Sequence, residues 1–361
     1  MKTSGLVSSL NGRLGWNKAR ATCFVNTLLA LFSVRTVNLK EMAIAFQSDA
    51  KLSSRYRRLQ RFFAMFNIDY SQIARWIFRL YFSDDKKVYL AIDRTNWFWG
   101  KQKINIFMLS IAHEGMAIPV FWIMLDKAGN SNFEEQRKLI NMFAKEFGVG
   151  CIKGILADRE FASGKLFSWL NKKEMPFYIR IKEGSSVCIK NKKFTTAKKL
   201  FNSLKCKHKS EYKMKIWMYG AKVYLAGSRS ERGELMIVAT NEKPKNAIAI
   251  YLRRWEIETL FQCLKNRGFR FESTHITDVD RLKKLMAVIA IGVAWAHKVG
   301  EWKATIKQIS WKQFKDQKRP EQSYFRYGMD EIREVLLQVG GGVRRLKALF
   351  SQLLPTMELT S

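Results

Sequence analysis

Residues 251–265 read YLRRWEIETLFQCLK, and the spacing inside that stretch organises the rest of the chain. At roughly 100° per residue, Tyr251, Arg254, Glu258 and Lys265 fall at about 0°, −60°, −20° and −40° on one helix. The four share a narrow stripe about 21 Å long. Ile257, Leu260 and Leu264 fall on the opposite face, which is therefore apolar. The spacing predicts a single helix that packs one side against a core and presents a carboxylate, two cations and a phenol on the other. Such a stripe suits a metal-dependent site acting on phosphates. It equally suits an exposed helix held by an Arg254/Glu258 i,i+4 ion pair.

The charge balance bears on that choice. The 361 residues include 64 Lys+Arg against 31 Asp+Glu, a formal charge of +33. Self-repulsion on that scale opposes a compact fold unless a polyanion neutralises it, which points to nucleic acid. The charges are spread along the chain instead of being gathered on one amphipathic helix, which argues against a membrane surface. Hydrophobic residues make up 47% and aromatics 13%, too much for a disordered basic tail. The length suggests two or three domains. The five cysteines form no C-x-x-C pair, as expected of free thiols in a cytoplasmic protein. With four histidines in the chain, and Cys206-x-His208 too little for zinc, a His/Cys metal cage is not expected. The apolar run Leu285–Ala296 is too short to span a bilayer, and Cys23–Phe32 reads as an ordinary helix, not a signal segment.

Residues 1–82 read as helical: Cys23–Val34, Leu39–Phe46, Ser53–Phe66 and Tyr70–Phe82, with Asn38 and Ser53 or Ser54 as caps. They hold 13 Lys/Arg against 3 Asp/Glu. Arg55, Arg57, Arg58 and Arg61 cluster where a recognition helix meets DNA, or form a solvated basic face. Lys87–Ile92, Ile104–Ala112 and Met116–Leu125 then read as an antiparallel meander. Phe133–Phe147 is an amphipathic helix, Ile152–Ala157 a buried strand and Ser163–Asn171 another helix. Together these imply a mixed α/β sheet flanked by helices. Residues 176–234 are β-rich, with 15 Lys/Arg against 4 Asp/Glu. Trp217, Tyr219 and Tyr224 lie among those charges, placed either to stack on an unpaired base or to fill a small core. Leu235–Thr240 is a further strand, Arg281–Val299 a buried helix, and the remainder helical, with a loop at Gly340–Gly342.

Asp93 and Asp158 each follow an apolar strand. Singly each suits a turn or cap. With Glu258 they offer three hard oxygen donors, the set that Mg²⁺ or Mn²⁺ prefers. Two such ions would activate an attacking water and stabilise the leaving oxygen of an in-line phosphoryl displacement.

Asp93-Arg-Thr, Asp158-Arg-Glu-Phe and Tyr251-x2-Arg254-x3-Glu258-x6-Lys265 together resemble the DDE transposases of the IS4 family, the group that includes the Tn5 and Tn10 enzymes. The resemblance covers about residues 85–300. It implies an RNase H-like core in two parts (83–175 and 235–300), interrupted by a β-rich insertion (176–234). A helical DNA-binding domain (1–82) would precede that core and a helical C-terminal region (301–361) would follow it. Asp93, Asp158 and Glu258 would be the metal-binding catalytic triad. Tyr251, Arg254 and Lys265 would hold DNA phosphates, Arg254 being better assigned to DNA than to Glu258. Trp217 would stack on a flipped base, with Tyr219 or Tyr224 as alternatives. The family's cut-and-paste route runs through a DNA hairpin and joins transposon ends to target DNA in a homodimeric synapse, with no membrane involved. A non-catalytic DNA-binding descendant and a plain metal-dependent nuclease are the competing functions. Arg94 and Arg159, as residues next to the acids, turn their side chains away from the site and either bind DNA or balance local charge, Glu160 is a supporting or structural acid, Asp126 and His113 are loop residues, and Trp255 and Phe261 pack.

Overall fold

The computed structural model describes residues 4–100, 102–189, 193–314, 317–338 and 343–354; Gly340–Gly342 lies outside the described residues. Helices α1 (Ser4–Leu14), α2 (Lys18–Val34), α3 (Leu39–Ile44), α4 (Leu52–Met65) and α5 (Tyr70–Arg79) come first. Asn38 caps α3 as its sequence position suggests, accepting from the Lys40 N–H. Neither Ser53 nor Ser54 caps α4. That helix begins earlier, the Lys51 carbonyl already accepting from Ser54 and Arg55, so both serines lie within its first turn.

The sheet is assembled from β1 (Val88–Trp99), β2 (Gln102–His113), β3 (Met116–Met124), β4 (Ile152–Ala157) and β5 (Phe177–Ile181). It continues through β6 (Ser186–Cys188), β7 (Phe194–Thr196), β8 (Lys209–Met218), β9 (Ala221–Arg229) and β10 (Leu235–Thr240). The ten strands run in the order β3-β2-β1-β4-β5-β10-β9-β8-β6-β7. β1–β3 form the expected antiparallel meander, and β4 pairs parallel to both β1 and β5. This β3-β2-β1-β4-β5 arrangement is the RNase H-like sheet. Phe177–Ile181 therefore belongs with the core strands, and the basic β-rich segment extends the same sheet through β10.

Alternation along the strands feeds two hydrophobic layers. Leu90, Ile92, Phe107 and Leu109 face α6 (Phe133–Phe147) and α7 (Gly164–Lys172). Ala91, Ile106 and Met108 face the layer that holds α9 (Trp255–Leu264), α10 (Val279–Ile306) and α11 (Tyr324–Leu337). Apolar residues of the N-terminal helices, among them Phe24, Leu28 and Phe32, join this second layer. Gly300 and Gly328 bring α10 and α11 into backbone contact. A Cβ on Gly300 would lie 1.9 Å from the Tyr324 oxygen, and one on Gly328 1.8 Å from that of Ala296. None of the described residues between α10 and α11 is helical: β11 (Trp311–Phe314) and β12 (Gln317–Pro320) pair antiparallel, followed beyond α11 by α12 (Val343–Ser351). No helix among the described residues is long and apolar enough to cross a membrane.

Candidate active site

Asp93 does not end its strand; β1 runs on to Trp99. What ends there is the pairing with β4, whose last register pair is Ile92 with Ala157. Beyond it β1 continues only as a ribbon with β2. Asp93 and Asp158 thus leave adjacent parallel strands at the same level, about 4.8 Å apart. Each carboxylate is oriented by the next main-chain N–H, Arg94 donating to Asp93 at 2.8 Å and Arg159 to Asp158 at 2.7 Å.

The stretch carrying Glu258 is not one helix. α8 (Ala247–Leu252) stops at Leu252 and α9 starts at Trp255, with Arg253 and Arg254 forming a turn. Both arginines keep right-handed helical dihedrals. The hydrogen bonds tighten, however, to i,i+3: Arg254 to Tyr251, Glu256 to Arg253 and Ile257 to Arg254. The break delivers the Arg254 guanidinium onto the strand ends. It donates to Asp93 Oδ2 at 3.1 Å, to Glu258 Oε1 at 2.6 Å and, through Nε, to the Tyr251 hydroxyl at 3.3 Å. The Tyr251 hydroxyl in turn reaches Asp158 Oδ1 at 3.5 Å. All three acids are therefore joined through one buried cation and one buried phenol.

The predicted phosphate clamp divides in this arrangement. Arg254 is only 4% exposed and Tyr251 only 1%. Arg254 is engaged by the acids, so the ion pair with Glu258 is present after all, with Asp93 as a third member. Lys265 stands elsewhere, paired with Glu272 at 2.9 Å, donating to the Asn96 carbonyl and lying over the Trp97 ring. Asn96 is three residues beyond Asp93 on β1, about 10 Å away. Trp217 is half exposed on β8 beneath Lys222, with β5, β10 and β9 between it and β4. Tyr219 is tied to Ser185 and packs near Phe167. Trp255, read as a packing residue, is 56% exposed because the break in the helix turns it outward at the start of α9.

Burial decides the electrostatics. It pushes the Asp93 carboxyl up to about 6, outweighing the Arg94 N–H and the Arg254 charge, which favour ionisation. Burial likewise raises the Tyr251 phenol. On the opposite strand face, Arg94 grips Glu160 through two 2.9 Å contacts and reaches the Gly129 carbonyl and Asn130. The alternation that puts Asp93 on the α9 face puts Arg94 on the other.

Three hard carboxylates suit divalent cations. Their ligand oxygens do not all lie within 4.8 Å of one another. Among the described residues, only His113, His297 and Glu301 bring candidate ligand atoms from three residues within 4.8 Å of one another. That cluster was missed in the sequence because His113 read as a loop residue. The i,i+4 spacing of His297 and Glu301 was its one local signal.

Two aspartates at the level where paired parallel strands part, and a helix-borne glutamate, on an RNase H-like sheet fit an enzyme of the DDE type, which uses divalent metal ions. The chain belongs to the transposase DDE domain family, which matches residues 84–295, more than half its length. None of the curated proteins matches it. Among solved structures it is similar to a piggyBac transposase synaptic complex with hairpin DNA. The identity is 12% and the TM-score 0.46, over 96% of this chain and 78% of that one.

Proposed function

We propose that this chain is the transposase of an insertion sequence of the IS4 group, acting in the cytoplasm on the bacterial nucleoid. It binds terminal inverted repeats and cuts and rejoins double-stranded DNA by a cut-and-paste route through a hairpin. The observation carrying this reading is the level placement of Asp93 and Asp158 on paired parallel strands, with Glu258 linked to Asp93 through Arg254. Asp93, Asp158 and Glu258 would hold two Mg²⁺ (or Mn²⁺) ions, which when bound supply activation of the attacking oxygen and stabilisation of the leaving one.

The protein groups then have separable tasks. Asp93 would serve as a ligand in its ionised form, which its raised pKa makes available above about pH 6. Arg254, whose planar fork matches phosphate as well as carboxylate, passes from the acids to the scissile phosphate. Tyr251 keeps Asp158 oriented through its hydroxyl. Lys265 grips the backbone about 10 Å further along β1. Residues 1–82 recognise the transposon end through the exposed Arg57 and Arg61. Arg55 and Arg58 are already committed to carbonyls of Ile44, Phe46 and Ala19. Half-exposed Trp217 on the β-rich extension is the aromatic on which a flipped base stacks. Two chains assemble with two ends, because both ends must be joined together.

The test incubates the protein and Mg²⁺ with DNA carrying the element end and its flank. Nicks with free 3′-hydroxyls, followed by hairpins, are expected. Binding without cleavage would favour an occupancy-only protein, and cleavage without end specificity a plain nuclease. Activity that survives Glu258→Gln removes the triad assignment.

A further inference from the structure

We propose that His113, His297 and Glu301 form a second metal site, separate from the carboxylate triad and selective for Zn²⁺. Its position follows from the topology. The β2–β3 turn has two residues, Glu114 and Gly115, with φ of 44° and 83°. That positive-φ pair is the tight hairpin type, and it holds His113 at the end of the ladder opposite Met116. His113 lies five residues beyond Met108, the register partner of Asp93. The cluster is therefore about 17 Å along the strand from the triad, at the other end of the sheet. On α10, His297 and Glu301 are one turn apart and face the same way.

The ligand atoms converge: His113 Nε2 lies 2.5 Å and His297 Nδ1 3.5 Å from Glu301 Oε1. Glu301 Oε2 faces Lys298 Nζ at 3.5 Å. His297 is only 1% exposed, and neither of its ring nitrogens makes a hydrogen bond. The Glu114 main chain and the Glu301 carboxylate lie close enough to favour the protonated ring, but neither completes a well-formed hydrogen bond to it. Tyr81, whose ring lies beside His297, spends its hydroxyl proton on the Ala294 carbonyl. A buried imidazole with no well-formed hydrogen bond is destabilising, and native folds rarely keep one without a reason. A metal supplies that reason, since it takes the imidazole lone pair and satisfies the carboxylate as well. His113 and Glu301 remain about one-fifth exposed, which leaves an entry path and room for a water.

Two imidazoles and one carboxylate, with a fourth position open, are the donor set of Zn²⁺ and other borderline first-row ions. Mg²⁺ instead demands oxygens in octahedral array. Aromatic rings of Tyr81, Phe82 and Tyr324 wall the cluster, so the site is shaped but not flooded. A metal here would pin the β2–β3 hairpin to α10, and its binding energy would appear as stability of the fold.

The experiment titrates full-length protein with Zn²⁺ by calorimetry in excess Mg²⁺ and in an Asp93→Asn, Glu258→Gln background. That background removes the triad as a competing site. One Zn²⁺ per chain should bind, and Co²⁺ in its place should give the visible spectrum of a low-coordinate nitrogen and oxygen site. His113→Ala should weaken Zn²⁺ by at least about tenfold and abolish the Zn²⁺-dependent rise in Tm. Glu301→Gln should do the same, so the test survives if one variant misfolds. Zn²⁺ affinity unchanged in both variants, or no stoichiometric Zn²⁺ in the background protein, overturns the proposal.

Discussion

Two polar clusters sit at opposite ends of the same sheet, and they solve burial in opposite ways. Around Asp93 every charged group has a partner: a guanidinium spans two carboxylates and a phenol bridges to the third. Around His297 the most deeply buried group has none. A site whose own side chains satisfy one another can rest without its ligand and must rearrange to use it. A site left unsatisfied is poised for something to enter. The first arrangement suits a reaction centre that loads and releases DNA, and the second a fixed brace.

The sharpest way to break the comparison is to remove one triad acid. Asp93→Asn, Asp158→Asn or Glu258→Gln should each lower DNA cleavage by at least about a thousandfold, as expected when several kcal/mol of transition-state stabilisation is lost. Single-turnover cleavage of a labelled element end checks it. Equal losses on removing His113 would mean the far cluster takes part in the chemistry.

The contrast also fixes opposite pH responses. Asp93 is raised to about 6 from 3.8, so the folded state binds the extra proton and stability falls as pH rises through that window. Burial lowers His297 to about 4 from 6.5, so stability there rises with pH over nearly the same window. Glu301 adds to the second trend: burial alone would raise it, but the His113 hydrogen bond and the neighbouring histidine charges hold it low. Each end is worth up to about 3 kcal/mol, with opposite sign. In EDTA the two ends should therefore oppose one another between pH 6.5 and 4, leaving the wild-type profile shallower than that of Asp93→Asn. Asp93→Asn should lose about 3 kcal/mol on acidification across that range, read from urea unfolding. A flat profile in the variant would show that His297 is not buried neutral.

Arg254→Ala tests whether the guanidinium holds the acids together. Removing one partner of a buried pair commonly costs 3–5 kcal/mol, and half-exposed Glu258 reduces that to about 2 kcal/mol here. Mg²⁺ should restore much of the loss by taking the guanidinium's place, while DNA binding stays weak. Loss of DNA binding with no change in stability would return Arg254 to a purely phosphate-binding role.

How much of this was legible depended on how local each signal is. The β1–β3 meander, β4 and α6 follow from alternation and helical period over a few residues. Ile92 and Ala157 mark where Asp93 and Asp158 meet, but that β1 continues past Asp93 shows only in its pairing with β2. The break at Arg253–Arg254 leaves no trace in composition, because every residue around it is helix-compatible and only the hydrogen-bond register changes. The β11–β12 hairpin escaped notice because Trp311–Phe314 is too short to separate a strand from a helical turn by periodicity. His113 and His297 are 184 residues apart, and only the β2–α10 packing unites them.

Lys265→Ala should have the smallest effect on the fold and is the most specific for the DNA path. Its partner Glu272 is 38% exposed, so the ion pair is worth no more than about 1 kcal/mol, and Tm should hardly move. If a phosphate draws Lys265 away from Glu272 and Asn96, the variant should bind DNA more weakly across all sequences. Its log K against log salt slope should fall by about one. An unchanged slope would leave Lys265 as a strut between α9 and the β1 ribbon. The DNA path would then have to run along the exposed arginines of α4 and the lysines of β8 instead. Measuring the same slope in Arg254→Ala separates the two halves of the clamp. The buried arginine should alter it only with metal present, whereas Lys265, at the ribbon and away from the acids, should alter it with or without metal.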